Sequence, residues 1–228
     1  MLEPDIIARV ETYKALTRCF FPPDEQLQQS VENLATHAPT WVPEVNASTL
    51  TMLKNLPGDE QGREALRVEH AKLFLGPFEV LAPPFGSVYF HVNKMLSHES
   101  IDDAAERYRE AGVATAPDRG NPPDHVTAEL EFMYYLLFQE HAAQCRDDAS
   151  AVREWRDRRT DFFPIHLGTW GPLFAGRVIS FAQTPFYKNL GLVTKDILKA
   201  EMRLTTGAVE SERTERSPEA MAVPTTPG

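Results

Sequence analysis

Apolar residues recur along this chain at intervals of three and four, the spacing that puts side chains on one face of a helix. Ile6, Ile7, Val10, Tyr13, Leu16 and Phe20 form the first such stripe, and Pro22-Pro23 end it. Leu27, Val31, Leu34 and Ala35 repeat the pattern up to Pro39. A short helix is predicted around Leu50, Leu53 and Leu56, ending at Pro57-Gly58. A longer one runs from Asp59 through Leu66, Leu73 and Phe74 to Gly76-Pro77.

From Gly76 to Gly86 the rhythm breaks. The run GPFEVLAPPFG is too rich in proline and glycine for a helix and too apolar for a solvated loop, so it must pack against something. Helical spacing resumes with Val88, Val92, Met95 and Leu96. It returns at Ser100, whose distance from Asp103 fits a capping box, and continues through Tyr108 to Gly112. The polar stretch 113–123 is predicted to be a hinge between an N-terminal half, 1–112, and a C-terminal half, 124–204. Asp124 is placed to cap the next helix, which is apolar around most of its circumference and therefore central. Val152, Trp155, Arg159 and Phe162 mark a further helix ending near Pro164. Pro172 suits the first turn of one bearing Phe174, Val178 and Phe181, and Leu190 to Met202 mark the last. Strand-like alternation is nowhere sustained. The expected fold is all-α, a globular bundle of about ten helices, with a disordered tail at 205–228 that has too few large apolar residues to offset its ordering entropy.

Composition sharpens this picture in two places. The 228 residues carry 33 acidic and 23 basic side chains, a formal net charge of -10, which repels phosphate backbones and argues against nucleic acid as a partner. Proline, at 18 residues, exceeds the usual share of about 5% and falls where helices end. The acidic side chains within 1–14 break any signal-like apolar run, and the longest unbroken apolar stretch, Phe132 to Phe138, is far too short to span a bilayer. A cytoplasmic protein without stable membrane insertion is expected. Cys19 and Cys145 are read as isolated thiols, with no disulfide framework and no ligand partner at metal-binding spacing.

Catalytic chemistry has no visible seat. No phosphate-binding or dinucleotide loop occurs, no serine or cysteine sits in a nucleophile elbow, and the seven histidines include no zinc-protease motif. His91 and His98, two helical turns apart, would need outside ligands to hold a metal. No catalytic residue, metal or cofactor is therefore assigned. The densest polar run is PPDHVTAELEFM at 122–133. There His125 and Glu129 share a helix face, so that the carboxylate would hold an imidazolium while Asp124 caps. A structural or binding use of this run is favoured over acid-base catalysis. Arg158-Arg159 reads as a solvated face or a pair of local salt-bridge partners.

Three segments, A-K-L-F-L-G-P at 71–77, P-P-F-G-S-V-Y at 83–89 and P-D-H-V-T-A-E-L-E-F-M at 123–133, resemble the TorD/DmsD family of molybdoenzyme maturation chaperones. The runs F-F-P-I-H-L-G-T-W at 162–170 and T-P-F-Y at 184–187 share the likeness, which covers about residues 6–204. The resemblance implies a TorD-like helical architecture and a chaperone, not an enzyme. Such a chaperone binds the twin-arginine signal peptide of a molybdopterin-dependent oxidoreductase precursor, assists cofactor insertion and delays export, a task known as Tat proofreading. It implies signal-peptide-binding roles for Pro84, Phe85, Gly86, Tyr89, Asp124, His125 and Glu129. Where some relatives carry tryptophan this chain has Phe85, which keeps an aromatic wall and loses an indole donor. Two alternatives stand beside this reading: an assembly subunit that recognises folded client, and a weak nucleotide-binding or hydrolysing switch. A monomer and a dimer exchanging halves at the hinge are both compatible with the chain.

Overall fold

The computed structural model of the chain describes residues 5–76, 79–90, 97–113 and 121–216, with backbone alone for 97–100 and 208–216. Among these, ten α-helices occur and no strand: α1 (Ile6–Cys19), α2 (Leu27–His37), α3 (Asn46–Lys54), α4 (Glu60–His70), α5 (Gly86–Phe90), α6 (Ser97–Glu110), α7 (Val126–Gln144), α8 (Ala149–Ile165), α9 (Leu167–Phe181) and α10 (Pro185–Arg216). Two 3-10 turns join α2 to α3, and a π-helical turn, Ala71–Leu75, extends α4. No helix of the described residues is long and apolar enough to cross a membrane.

Side-chain caps set several helix starts. Asp5, Asp59 and Asp148 accept from the backbone N–H of Ile7, Gly62 and Ala151, each satisfying a donor that the first helical turn leaves open. The expected centrality of α7 holds: α1, α8 and α9 all pack on it, and it buries Leu130, Phe132, Met133, Leu136 and Leu137. One apolar cluster runs from Val10 to Ala200 and draws on both sides of the expected hinge, most of which, 114–120, lies outside the described residues.

Three boundaries differ from expectation. The backbone is already helical at Ser97, so Ser100 is not a cap, and Asp103 instead bonds Arg107 and His166. Helix α9 begins at Leu167, placing Pro172 inside it. A proline there forfeits a helical bond at a cost of about 3 kcal/mol. Full burial of Leu167, Trp170 and Phe174 outweighs that loss. Helix α10 continues to Arg216, twelve residues past Leu204, so the tail is not disordered from 205 as expected. Thr205 is buried, and the alanine, glutamate and arginine beyond it are good helix formers on a backbone already nucleated. The remainder, 217–228, lies outside the described residues.

The arginine pair of α8 divides. Arg158 behaves as expected, pairing with Glu154 at 3.0 Å and lying over the Trp155 ring. Arg159 does not: it is buried and reaches Glu201 of α10 at 2.9 Å and Glu140 of α7 at 3.2 Å. Arg9 of α1 joins Glu201, and Arg156 joins Glu140 at 2.9 Å. Burial pushes the Glu201 carboxyl up, and the Arg9 and Arg159 guanidiniums outweigh it and hold the group below the usual carboxylate range. This charge cluster ties the first helix to the last.

Candidate functional site

Hydrogen bonds hold the described part of the irregular segment after α4, residues 76 and 79–86, at several points. The π-turn closes with Gly76 N–H donating to Ala71 O at 2.7 Å, and Gly76 takes φ +55, where a Cβ would lie 2.7 Å from Glu79 O. Ala82 N–H then bonds Leu73 O at 2.8 Å, and Arg177 Nε on α9 bonds Leu81 O at 2.8 Å. Pro83 and Pro84 have no N–H to satisfy, so only their carbonyls need partners. The Tyr89 hydroxyl donates to Pro83 O at 2.9 Å, and Val126 N–H donates to Pro84 O at 2.8 Å.

That last bond belongs to a short antiparallel contact in which Phe85 faces His125, with Gly86 N–H donating to Asp124 O at 2.9 Å. The loop and the start of α7 thus meet backbone to backbone. Above them the Phe85 and His125 rings stand edge to face with centroids 5.2 Å apart, both half-buried. Beneath, Tyr89 stacks on Trp170 at 5.7 Å, and Trp170 Nε1 donates to Glu129 Oε2 at 2.9 Å. A Cβ on Gly86 would lie 2.9 Å from that same indole nitrogen, so only glycine fits without movement.

The structure brings all seven expected residues together and reassigns three of them. Asp124 does not cap α7. Its Oδ2 accepts from Ser87 N–H at 2.8 Å and holds the start of α5 instead. The α7 cap is His125, whose Nδ1 accepts from Thr127 N–H at 3.2 Å and from the Thr127 hydroxyl at 2.7 Å, an arrangement that leaves the ring proton on Nε2. His125 and Glu129 do not form an ion pair. Burial depresses the imidazole to about 4 against the pull of Asp124, so it is neutral near pH 7. Burial also raises the Glu129 carboxyl well above its usual range, more than the Trp170 hydrogen bond lowers it, and its Oε1 has no partner. The pair fails because Glu129 faces inward to α9.

Pro84, Gly86, Tyr89, Asp124 and Glu129 are buried, which leaves Phe85 and His125 as the members that reach solvent. Trp170 and Thr127, neither expected here from sequence, join the cluster through Glu129 and His125, and Trp170 is the last residue of the run F-F-P-I-H-L-G-T-W. Phe78 and His91 lie outside the described residues, as does the side chain of His98. Among the described residues no three His, Cys, Asp or Glu side chains gather in a way that could hold a metal.

Three relatives frame these observations. The chain is 27% identical over 132 residues to the Tat proofreading chaperone DmsD of Salmonella typhi, covering 58% of each protein. It is 23% identical over 168 residues to the chaperone protein TorD of Aliivibrio fischeri, covering 72% of this chain and 77% of the relative. It is 30% identical over 121 residues to the perchlorate reductase assembly chaperone protein of Dechloromonas aromatica, covering 52% and 53%. The chain therefore spans less than two thirds of the length of the first and third of these proteins. Residues 23–176, more than half of the chain and inclusive of the whole loop and the α7 start, match the family described as Nitrate reductase delta subunit. The chain belongs to that family, in the company of the TorD and DmsD chaperones.

Proposed function

We propose that this protein is a maturation chaperone for a redox enzyme. It binds the twin-arginine signal peptide of a molybdopterin-dependent oxidoreductase precursor, assists cofactor insertion and delays export until the enzyme is folded. It works in the cytoplasm and without catalysis. The observation that carries this reading is family membership, with relatives named for Tat proofreading and for reductase assembly. The geometry supports it through the Phe85–His125 ring pair, an aromatic surface held by backbone bonds on both sides of the contact and suited to the apolar segment that follows an arginine pair. Asp124 and Glu129 are buried and already engaged, so their contribution is to shape that surface, and attraction of the arginines comes from the net charge of -10.

Replacing Phe85 with alanine tests the surface. Peptide affinity is expected to fall at least about tenfold, near 1.4 kcal/mol, with helix content by circular dichroism intact. Unchanged affinity would remove the ring pair from the binding site. The small exposed area of the site gives weight to a second reading, recognition of a folded client over a wider surface. In that case a folded reductase lacking its leader competes with the leader-bearing precursor on equal terms.

A further inference from the structure

Cys145 is not isolated, contrary to its reading from sequence. It ends α7 one turn after His141, its N–H bonds His141 O at 3.0 Å, and its Sγ lies 3.6 Å from His141 Nε2 and 4.0 Å from Nδ1. We propose that His141 and Cys145 form a two-ligand site for a borderline or soft cation, Zn2+ or Cu+, at the C-terminal end of α7. Span, chemistry and position all favour a cation there, whatever the function proposed above.

A tetrahedral cation about 2.3 Å from a thiolate and about 2.0 Å from an imidazole nitrogen separates sulfur and nitrogen by about 3.5 Å. With Sγ now 3.6 Å from Nε2, the two ligand atoms are within reach of one cation. Sulfur now sits toward the flank of the ring and not along the Nε2 lone pair, so binding requires the imidazole to turn about its outer torsion, which is broad and roughly two-fold for histidine. Cys145 is exposed, so its proton leaves to solvent as the thiolate takes the metal. Thiolate with imidazole selects zinc and cuprous ions over magnesium and calcium, which take oxygen. The end of a helix carries partial negative charge that favours a cation, and the neighbouring Arg146 is offset by Asp147 and Asp148, all three exposed. No third side chain completes the set among the described residues, so solvent fills the remaining positions.

The test is titration of the reduced full-length chain with Zn2+ and, as a spectroscopic reporter, Co2+. One equivalent is expected, with a thiolate-to-cobalt charge-transfer band that zinc displaces. Cys145→Ser is expected to abolish the band, and His141→Ala to weaken binding at least about tenfold, since a two-ligand site that loses one ligand keeps little of its grip. Alkylating the wild-type chain gives the same loss without a substitution, because Cys19 is buried and its thiol is pushed up to about 12. A band that survives in Cys145→Ser, or binding that is indifferent to His141→Ala, overturns the site.

Discussion

Trp170 Nε1 donates to Glu129 Oε2 at 2.9 Å, and through this bond α9 holds the start of α7 in place beneath the Phe85 loop. Gly86 lies against the same indole, so loop, α7 and α9 share one crowded point. Gly86→Ala places a methyl 2.9 Å from Nε1 and 3.1 Å from Cδ1 of Trp170. Overpacking of this kind costs about 1–3 kcal/mol. The stiffer unfolded chain returns about 0.4–1 kcal/mol, which is smaller. A net loss of about 1–2 kcal/mol is expected, read from the urea midpoint at constant slope.

Glu129 makes the fold pH-dependent, because burial raises its carboxyl well above the usual range. A group whose folded value is raised contributes stability that is complete below the ordinary carboxylate range, near 4.5, and is lost as pH rises toward the raised value. Glu129→Gln keeps an oxygen for Trp170 and removes the titration. The variant is expected to gain on the wild type steadily as pH rises above 4.5, measured as urea midpoints at successive pH values. Parallel curves would show that Glu129 is not protonated in the native state.

His125 works in the other direction. Its folded value, about 4, lies below the ordinary 6.5, so the cap's contribution is present above 6.5 and is lost as pH falls from there through about 4. His125→Asn keeps a side-chain acceptor at the α7 N-terminus. Between pH 6.5 and 4 the variant should show a flatter stability profile than the wild type. An identical profile would assign the acid sensitivity to other groups.

Arg158 and Arg159 of α8 predict a contrast within one dipeptide. Arg159→Ala strips the buried Glu140 and Glu201 of a shared partner, and losing one member of a buried charge cluster costs about 3–5 kcal/mol. Arg158→Ala removes an exposed pair with Glu154, worth about 0–1 kcal/mol. Thermal unfolding of the two variants side by side checks this directly.

Much of the architecture was legible because prolines and aspartates punctuate it. Pro22-Pro23, Pro39 and Pro57 fall after helices, Asp59 opens one, and the apolar girth of α7 marked its central place. Local signals misled where tertiary burial overrode them, as at Pro172, whose helix is anchored by Leu167 and Trp170. Within the site, the residues read from sequence lie together in the structure, and several have partners other than those expected. Asp124 and Glu129 are near neighbours of His125 along the chain, but their oxygens are taken by Ser87, 37 residues away, and Trp170, 41 residues away. Arg159 is indistinguishable from Arg158 by composition. What separates them is the place of Arg159 on the stripe of Val152, Trp155 and Phe162, where Glu201 of α10 and Glu140 of α7 reach it.

Recognition of an arginine-bearing leader is measured by calorimetry with matched peptides. Leaders of the molybdopterin-dependent reductases encoded in the same genome are titrated into the wild-type chain, each with its arginine pair intact and with both arginines replaced by alanine. One intact leader is expected to bind at about micromolar affinity, near -8 kcal/mol, and to lose at least about tenfold without the pair. Equal affinity for intact and substituted forms, or no binding to any leader, would show that this protein does not recognise the arginine pair.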